Sequence, residues 1–301
     1  MSACRLTRFR VLLLCAATFQ VPWAQARCDL PGQTPEMLMQ WKASGFPAAD
    51  AAERMKRAYL LVDCLDDPDP RLRDGVAYEA LSKWMRDKQF DPSDLRSLQV
   101  RLFKQLEGAD TSGFRKPFAA LVLSEVARTD RAQPWMTTAE RDHMTERAAA
   151  YLSSVRDYRG YVDGEGWRHG VAHGADWAMQ LMLNKAVSPA RRMELLSAIG
   201  IQVMPADGHA YGFGEPARLA RPVVYAVARG DLEQPAMDEW LLGLAASLGT
   251  TPEGNEQAVW WSRRANLENF LNALISMSGE APSPRFAALA DAARRTAAKL
   301  P

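Results

Sequence analysis

The stretch DYRGYVDGEGWRHGVAHGADW, residues 157 to 177, holds two of the chain's four histidines, His169 and His173. On a helix, His169, His173, Asp176 and Gln180 stand at i, i+4, i+7 and i+11 and share one narrow face. That face admits three chemistries. Two neutral imidazoles one turn apart bind zinc, given a third ligand from Asp176 or from His209 in the loop MPADGHAYGFGEP. A neutral histidine whose tautomer is set by Asp176 serves as a general base, with Tyr211 or Arg218 meeting a developing charge. In the third reading both rings pack between helices and only hold them in register. The spacing alone does not choose, because neither HExxH nor CxxC is present.

Two further stretches carry binding chemistry. Residues 204 to 216 are rich in glycine and aromatics and present Asp207, His209, Tyr211 and Glu215, the composition of a binding loop or of a connection between helix pairs. Trp260 and Trp261 precede RRANLENFLNALI, on which Asn266, Asn269 and Phe270 share a face. Such tryptophans grip a sugar ring or pack as core. The charge runs at Ala51 to Arg57 and Arg294 to Lys299 read as solvated helix faces.

These residues must be positioned by helices, since helical apolar spacing recurs and strand alternation is nearly absent. Thr34-Pro35, Asp69-Pro70, Asp91-Pro92 and Ser188-Pro189 each read as a cap followed by proline at the first helical position, and Thr137 with Glu140 as a capping box. Stripes such as Leu72, Val76, Leu81, Met85 and Leu95, Leu98, Leu102, Leu106 lie between them. The glycines at 160, 164 and 166 predict a loop, with Gly166 capping a helix from about Trp167 to Asn184. Gly170 and Gly174 on that helix let a neighbour approach closely. Pro222 predicts a kinked or restarted helix. The expectation is an all-α chain of about a dozen helices, one domain over residues 27 to 301. It is built as an irregular α-solenoid of HEAT or armadillo type or as an α/α toroid.

Arg5, Arg8 and Arg10, the apolar run VLLLCAATF and the site Ala24-Gln25-Ala26 read as a signal peptide over residues 1 to 26, cleaved near Ala26, and so as a periplasmic or secreted protein. No later segment has the roughly 20 apolar residues of a membrane span. Removing the leader leaves 34 basic against 36 acidic residues, with no basic surplus to hold nucleic acid. Cys4 and Cys15 leave with it, and Cys28 and Cys64 are predicted to pair in an oxidising compartment. A loop of that length stabilises by about 4 kcal/mol on the chain-entropy model.

The stretches LRDGVAYEALSKWM (72 to 85), RDYRGYVDGEGWRHGVAHGADW (156 to 177), EPARLARPVVYAV (215 to 227) and NLENFLNAL (266 to 274) resemble the bacterial family of domain of unknown function 2785. The likeness runs from about residue 70 to 280. It implies a HEAT-like helical array and no particular activity. Residue by residue it also implies a shared groove lined by Asp157, Arg159, Trp167, His169, His173, Asp176, Glu215, Arg218 and Asn266. The expected function is a binding or scaffold role in the cell envelope, for an envelope protein, peptide or glycan. The alternative is a hydrolase or polysaccharide lyase using His169 and His173, with Asp176 and Tyr211, and zinc as cofactor if His169, His173 and His209 form a metal set.

Overall fold

Local sequence sets the helix starts. In the computed structural model, Thr34, Asp69, Asp91 and Ser188 each accept a backbone N–H with the side chain, and each precedes a proline at the helix start. Thr137 and Glu140 close the expected capping box. The structure describes Cys28 and residues 30–230, 232–254, 257–280 and 283–301, so the expected leader lies outside the described residues.

The elements are α1 (Pro35–Ala43), α2 (Ala51–Asp63), a short turn (Cys64–Asp66), α3 (Pro70–Leu72), a π-helical stretch (Arg73–Tyr78), α4 (Glu79–Arg86), α5 (Pro92–Gln105), α6 (Arg115–Ala132) and α7 (Thr138–Ser154). A two-stranded hairpin, β1 (Tyr161–Val162) and β2 (Gly166–Trp167), precedes α8 (Gly170–Met182). There follow α9 (Pro189–Val203), α10 (Glu215–Arg229), α11 (Gln234–Leu248), α12 (Gln257–Gly279) and α13 (Pro284–Ala297). The fold is all-α. No helix among the described residues is long and apolar enough to cross a membrane. Cys28 and Cys64 are joined by a disulfide.

Side-chain contacts fix how the helices run. Pro117 and Arg131 of α6 reach His173 and Gln180 of α8 in the same order along the chain, and Arg218 and Arg229 of α10 reach Asp176 and Leu183 likewise. The rod from Arg73 to Arg86 meets Phe118 and then Glu125 of α6. This rod, α6, α8 and α10 are therefore parallel neighbours, an inner row. Arg96 to Glu140 and Arg147 to Phe103 set α5 parallel to α7, and Arg191 to Glu146 and Gln202 to Leu152 set α7 parallel to α9, an outer row. A contiguous apolar core runs from Leu30 to Ala293.

One expectation needs correction, and two that left alternatives open are narrowed. The helix expected from Trp167 begins at Gly170 and ends at Met182, because Gly164 and Gly166, both at positive φ, close a hairpin pairing Tyr161 with Trp167. Pro222 does not restart a helix: α10 runs from Glu215 to Arg229, and packing on α8 and α12 outweighs one missing N–H. Of the two readings of the tryptophan pair, core packing holds for Trp260, which is buried, meets Trp261 edge-on and donates its indole N–H to Gly249 O at 3.3 Å. Gly170 and Gly174 do admit a neighbour: α7 lies against them through Tyr151, Leu152 and Val155.

Candidate functional site

Because the inner helices are parallel, every loop entering them from the outer row arrives at one edge. The loops 106–114, 155–169 and 204–214 gather there with the N-termini of α6, α8 and α10. These N-termini carry partial positive charge, which favours carboxylates and disfavours imidazolium. Asp110 accepts the backbone N–H of Lys116 at 2.8 Å at the start of α6, and Glu215 is the buried first residue of α10.

His169 is the cap of α8 and lies in the left-handed region at φ 52°. A non-glycine residue held there costs about 1–2 kcal/mol, and the surrounding contacts must impose it. Its N–H donates to Arg159 O at 3.3 Å, and Trp167 stacks on the ring at 4.1 Å between centroids and 3° between planes. Nδ1 of His169 is buried without a hydrogen-bond partner, 3.7 Å from Glu215 Oε1, beyond hydrogen-bonding reach. Burial, followed by the charge of Arg218, pushes its pKa down to about 4. The ring is neutral near pH 7.

His173 lies one turn further in and is buried. Its Nδ1 faces Pro117 O at 3.1 Å, and a carbonyl only accepts, so Nδ1 carries the proton. Phe118 meets its ring edge-on at 5.1 Å. Burial, then the charge of Arg218, lowers its pKa to about 3. His173 thus follows the packing reading, while His169 stands apart with an unspent nitrogen.

Asp176 does not orient either histidine. It pairs with Arg218, whose Nε donates to Oδ1 at 3.2 Å; burial raises its carboxyl pKa and Arg218 partly offsets that. Tyr211 is no acid for the site, since its hydroxyl donates to Gln202 O at 2.9 Å and burial raises its pKa. Asn266 does not line a groove. It is buried and clamps the 204–214 loop, accepting from Tyr211 N at 3.0 Å and donating to His209 O at 2.7 Å. The metal set does not assemble either: His209 stacks on Tyr158 at 4.9 Å, and no three His, Cys, Asp or Glu side chains among the described residues converge to hold an ion.

Asp157 and Arg159 form an ion pair, with Arg159 Nε donating to Asp157 Oδ1 at 2.8 Å. They border a shallow basin of about 770 Å³ that also draws in Arg156, Tyr158, Asp207, His209 and Phe213. Beside it, Tyr161, Trp167 and Phe213 are 46%, 38% and 47% exposed. Trp167 meets Tyr161 at 5.1 Å and Phe213 at 5.8 Å, so the three form a continuous aromatic surface. Gly160 lies directly under the Phe213 ring, where a β-carbon would collide. Tyr161 and Phe213 escaped the sequence reading. The Asp163-Gly164 turn between aromatic ends was the hairpin signal that could have found the first.

Behind this surface Phe114 is held between two guanidiniums, Arg73 at 3.9 Å and Arg168 at 4.2 Å. Arg73 is fully buried, donates to Asp67 O at 3.0 Å and Glu165 O at 2.8 Å, and pairs with Asp74 at 2.7 Å. It ties the π-helical stretch to the hairpin, and a π insertion at such a point re-aims side chains without ending the helix.

A family model described as protein of unknown function (DUF2785) matches residues 102–275. No curated protein and no solved structure matches the chain.

Proposed function

The chain belongs to the DUF2785 family, and from that premise we propose that it is an exported binding protein of the cell envelope that holds a glycan at the loop edge. The observation that carries the reading is the exposed aromatic surface of Tyr161, Trp167 and Phe213 beside a polar basin. A pyranose ring has an apolar C–H face that stacks on an aromatic ring and an edge of hydroxyls that seeks forks and carboxylates. The basin supplies the latter in Arg156, Arg159 and Asp207. The Cys28–Cys64 disulfide supports export, since such bonds persist in oxidising compartments. Titration with hexasaccharides of glucose and of N-acetylglucosamine, read by tryptophan fluorescence and calorimetry, tests it. Binding of one of them, weakened by roughly tenfold or more in Trp167→Ala, is expected from the loss of an aromatic anchor. Silence with both sugars, or full binding by a Trp167→Ala, Phe213→Ala variant, rejects the reading.

A second reading rests on His169, whose buried Nδ1 has no partner and faces a buried Glu215. A neutral imidazole near a carboxylate is equipped as a general base, in a hydrolase or polysaccharide lyase acting on the sugar bound above it. Mass spectrometry of oligosaccharides incubated with the protein and with His169→Gln decides. Cleavage that disappears in a folded variant supports it, and intact sugars after saturation reject it.

A further inference from the structure

We propose that the outward face of the inner helix row, α6, α8 and α10, is a second binding surface, for an acidic polysaccharide, separate from the loop edge. The face is read from exposure and spacing. On α10, Arg218, Arg221 and Tyr225 stand at i, i+3 and i+7, and Arg221 and Tyr225 are exposed. On α6, Arg128 and Arg131 are half-buried at i and i+3, and on α8 Asp176 and Gln180 occupy the matching stripe. Arg86 joins from α4 through Glu125 of α6.

Charge on this face does not cancel. Its carboxylates, Glu125 and Asp176, are both committed, to Arg86 at 3.0 Å and to Arg218 at 3.2 Å. Among the described residues Arg128, Arg131 and Arg221 make no close ion pair of their own: Glu125 and Asp176, whose charges reach Arg131 and Arg221, are held by Arg86 and Arg218. Arg131 spends its Nε on Gln180 Oε1 at 3.0 Å, a neutral acceptor. Burial, reinforced by the charges of Arg128 and Arg229, lowers the Arg131 pKa, so like charges are held together at some cost. Elsewhere among the described residues surface arginines are paired, as Arg191 is with Asp142, Glu146 and Glu194, or donate to backbone carbonyls, as Arg54, Arg115, Arg156 and Arg263 do.

Geometry selects an extended anion. Neighbouring helices pack 8–10 Å apart, so α6 and α10, with α8 between them, are about 16–20 Å apart. One phosphate or carboxylate cannot bridge Arg128 and Arg221, whereas a chain bearing repeated carboxylates can, each taken by a planar guanidinium fork. The surface also favours a glycan over an acidic peptide. Helices satisfy their own backbone groups, so this face offers a peptide main chain no ladder to join. The Gln180 amide and the exposed Tyr225 ring suit hydroxyls and a sugar face.

The test is calorimetric titration of the full chain with an octamer of galacturonate. Wild type is expected to bind it with affinity that falls as salt is raised, because exposed charges are screened. Arg128→Gln, Arg131→Gln, Arg221→Gln should lose about tenfold or more, as three charge-assisted contacts disappear. Arg294→Gln, Arg295→Gln on α13 and the loop-edge variant Trp167→Ala, Phe213→Ala should bind as wild type, which separates this surface from the first. If the triple variant does not fold, Arg128→Gln and Arg221→Gln singly carry the same test, each expected to weaken binding. No binding by wild type, or unchanged binding by the folded variants, overturns the proposal. So does an equal or tighter response to octa-aspartate or to single-stranded DNA, which would make the face a general polyanion or peptide surface.

Discussion

The two ends of the inner helices are both polar, yet they are built on opposite principles. At the C-terminal end Asp130 accepts from Trp135 N, Met136 N, Arg141 Nε, Arg141 Nη2 and Asn184 Nδ2 at 2.7–3.1 Å. Arg141 adds Met136 O at 2.7 Å, and Arg192 caps Asn184 O at 3.1 Å. All four side chains are buried, and the turns they tie together, 133–137 and 183–188, are short. At the N-terminal end the loops are long, His169 Nδ1 is unspent, and three aromatics face solvent. The count of polar residues does not separate a staple from a site. Whether their hydrogen-bonding capacity is already spent does.

The largest effect is therefore expected at the staple. Asp130→Ala leaves Arg141 buried without its carboxylate, and breaking such a pair from one side costs about 3–5 kcal/mol. Urea denaturation measures it; a loss below about 1 kcal/mol would mean that the C-terminal end is not held by this network. At the open end the structural part is smaller. Asn266→Ala removes two hydrogen bonds and leaves His209 O and Tyr211 N to find other partners, a cost of about 1–3 kcal/mol. Amide exchange should speed up across residues 204–214 and stay unchanged at 133–137. Equal acceleration at both ends would show that they do not open separately.

The sequence made one of these ends far more legible than the other. Caps, prolines and apolar stripes carry local, short-range information, which is why the starts at Thr34, Asp69, Asp91, Thr137 and Ser188 and the all-helical class could be read directly. The His-x3-His spacing pointed to the right segment, but its meaning lay in long-range partners: Pro117 for His173, Glu215 for His169, Arg218 for Asp176. Each partner is more than 40 residues away in the chain, and periodicity says nothing about such pairings. The hairpin was missed because glycines were read as helix-capping loop residues, which placed His169 inside a helix it only caps. Asp130 and Arg141 drew no attention, because two charged residues on exposed-looking helices give no sign that both will be buried.

The ends should also part company with pH. His169 and His173 titrate near 6.5 when unfolded and at about 4 and about 3 in the fold. Between those values the unfolded chain binds protons that the folded chain refuses, so their contribution, full above pH 6.5, is lost as pH falls toward 4. Asp130 behaves differently. Burial alone would raise its pKa, but hydrogen bonds from Arg141, Met136, Trp135 and Asn184 outweigh that and lower it. Its stabilisation persists to its ordinary value of 3.8 and is lost only below. Melting temperatures from pH 7.5 to 4.5 should fall in wild type and flatten in His169→Gln, His173→Gln, where the glutamine at 173 can still donate to Pro117 O. An unchanged slope would place the acid sensitivity elsewhere.

The smallest stability effect belongs to the surface with the largest proposed role. Trp167 and Phe213 contact His169, Tyr161 and each other but leave more than a third of their area in water. Truncating both forfeits ring contacts while relieving exposed apolar area, and the net change should stay under about 1 kcal/mol, as for surface positions generally. The same change should remove glycan binding if these rings are the platform. A stability loss as large as that of Asp130→Ala would mean that the aromatics staple the loops as the carboxylate staples the turns. Two built ends would then replace one built and one open. A small loss with binding abolished fixes the division of labour between them: at one end the polar groups are all spent on holding the helices, and at the other Arg73 and Asn266 hold the loops from behind while the rings stay uncovered.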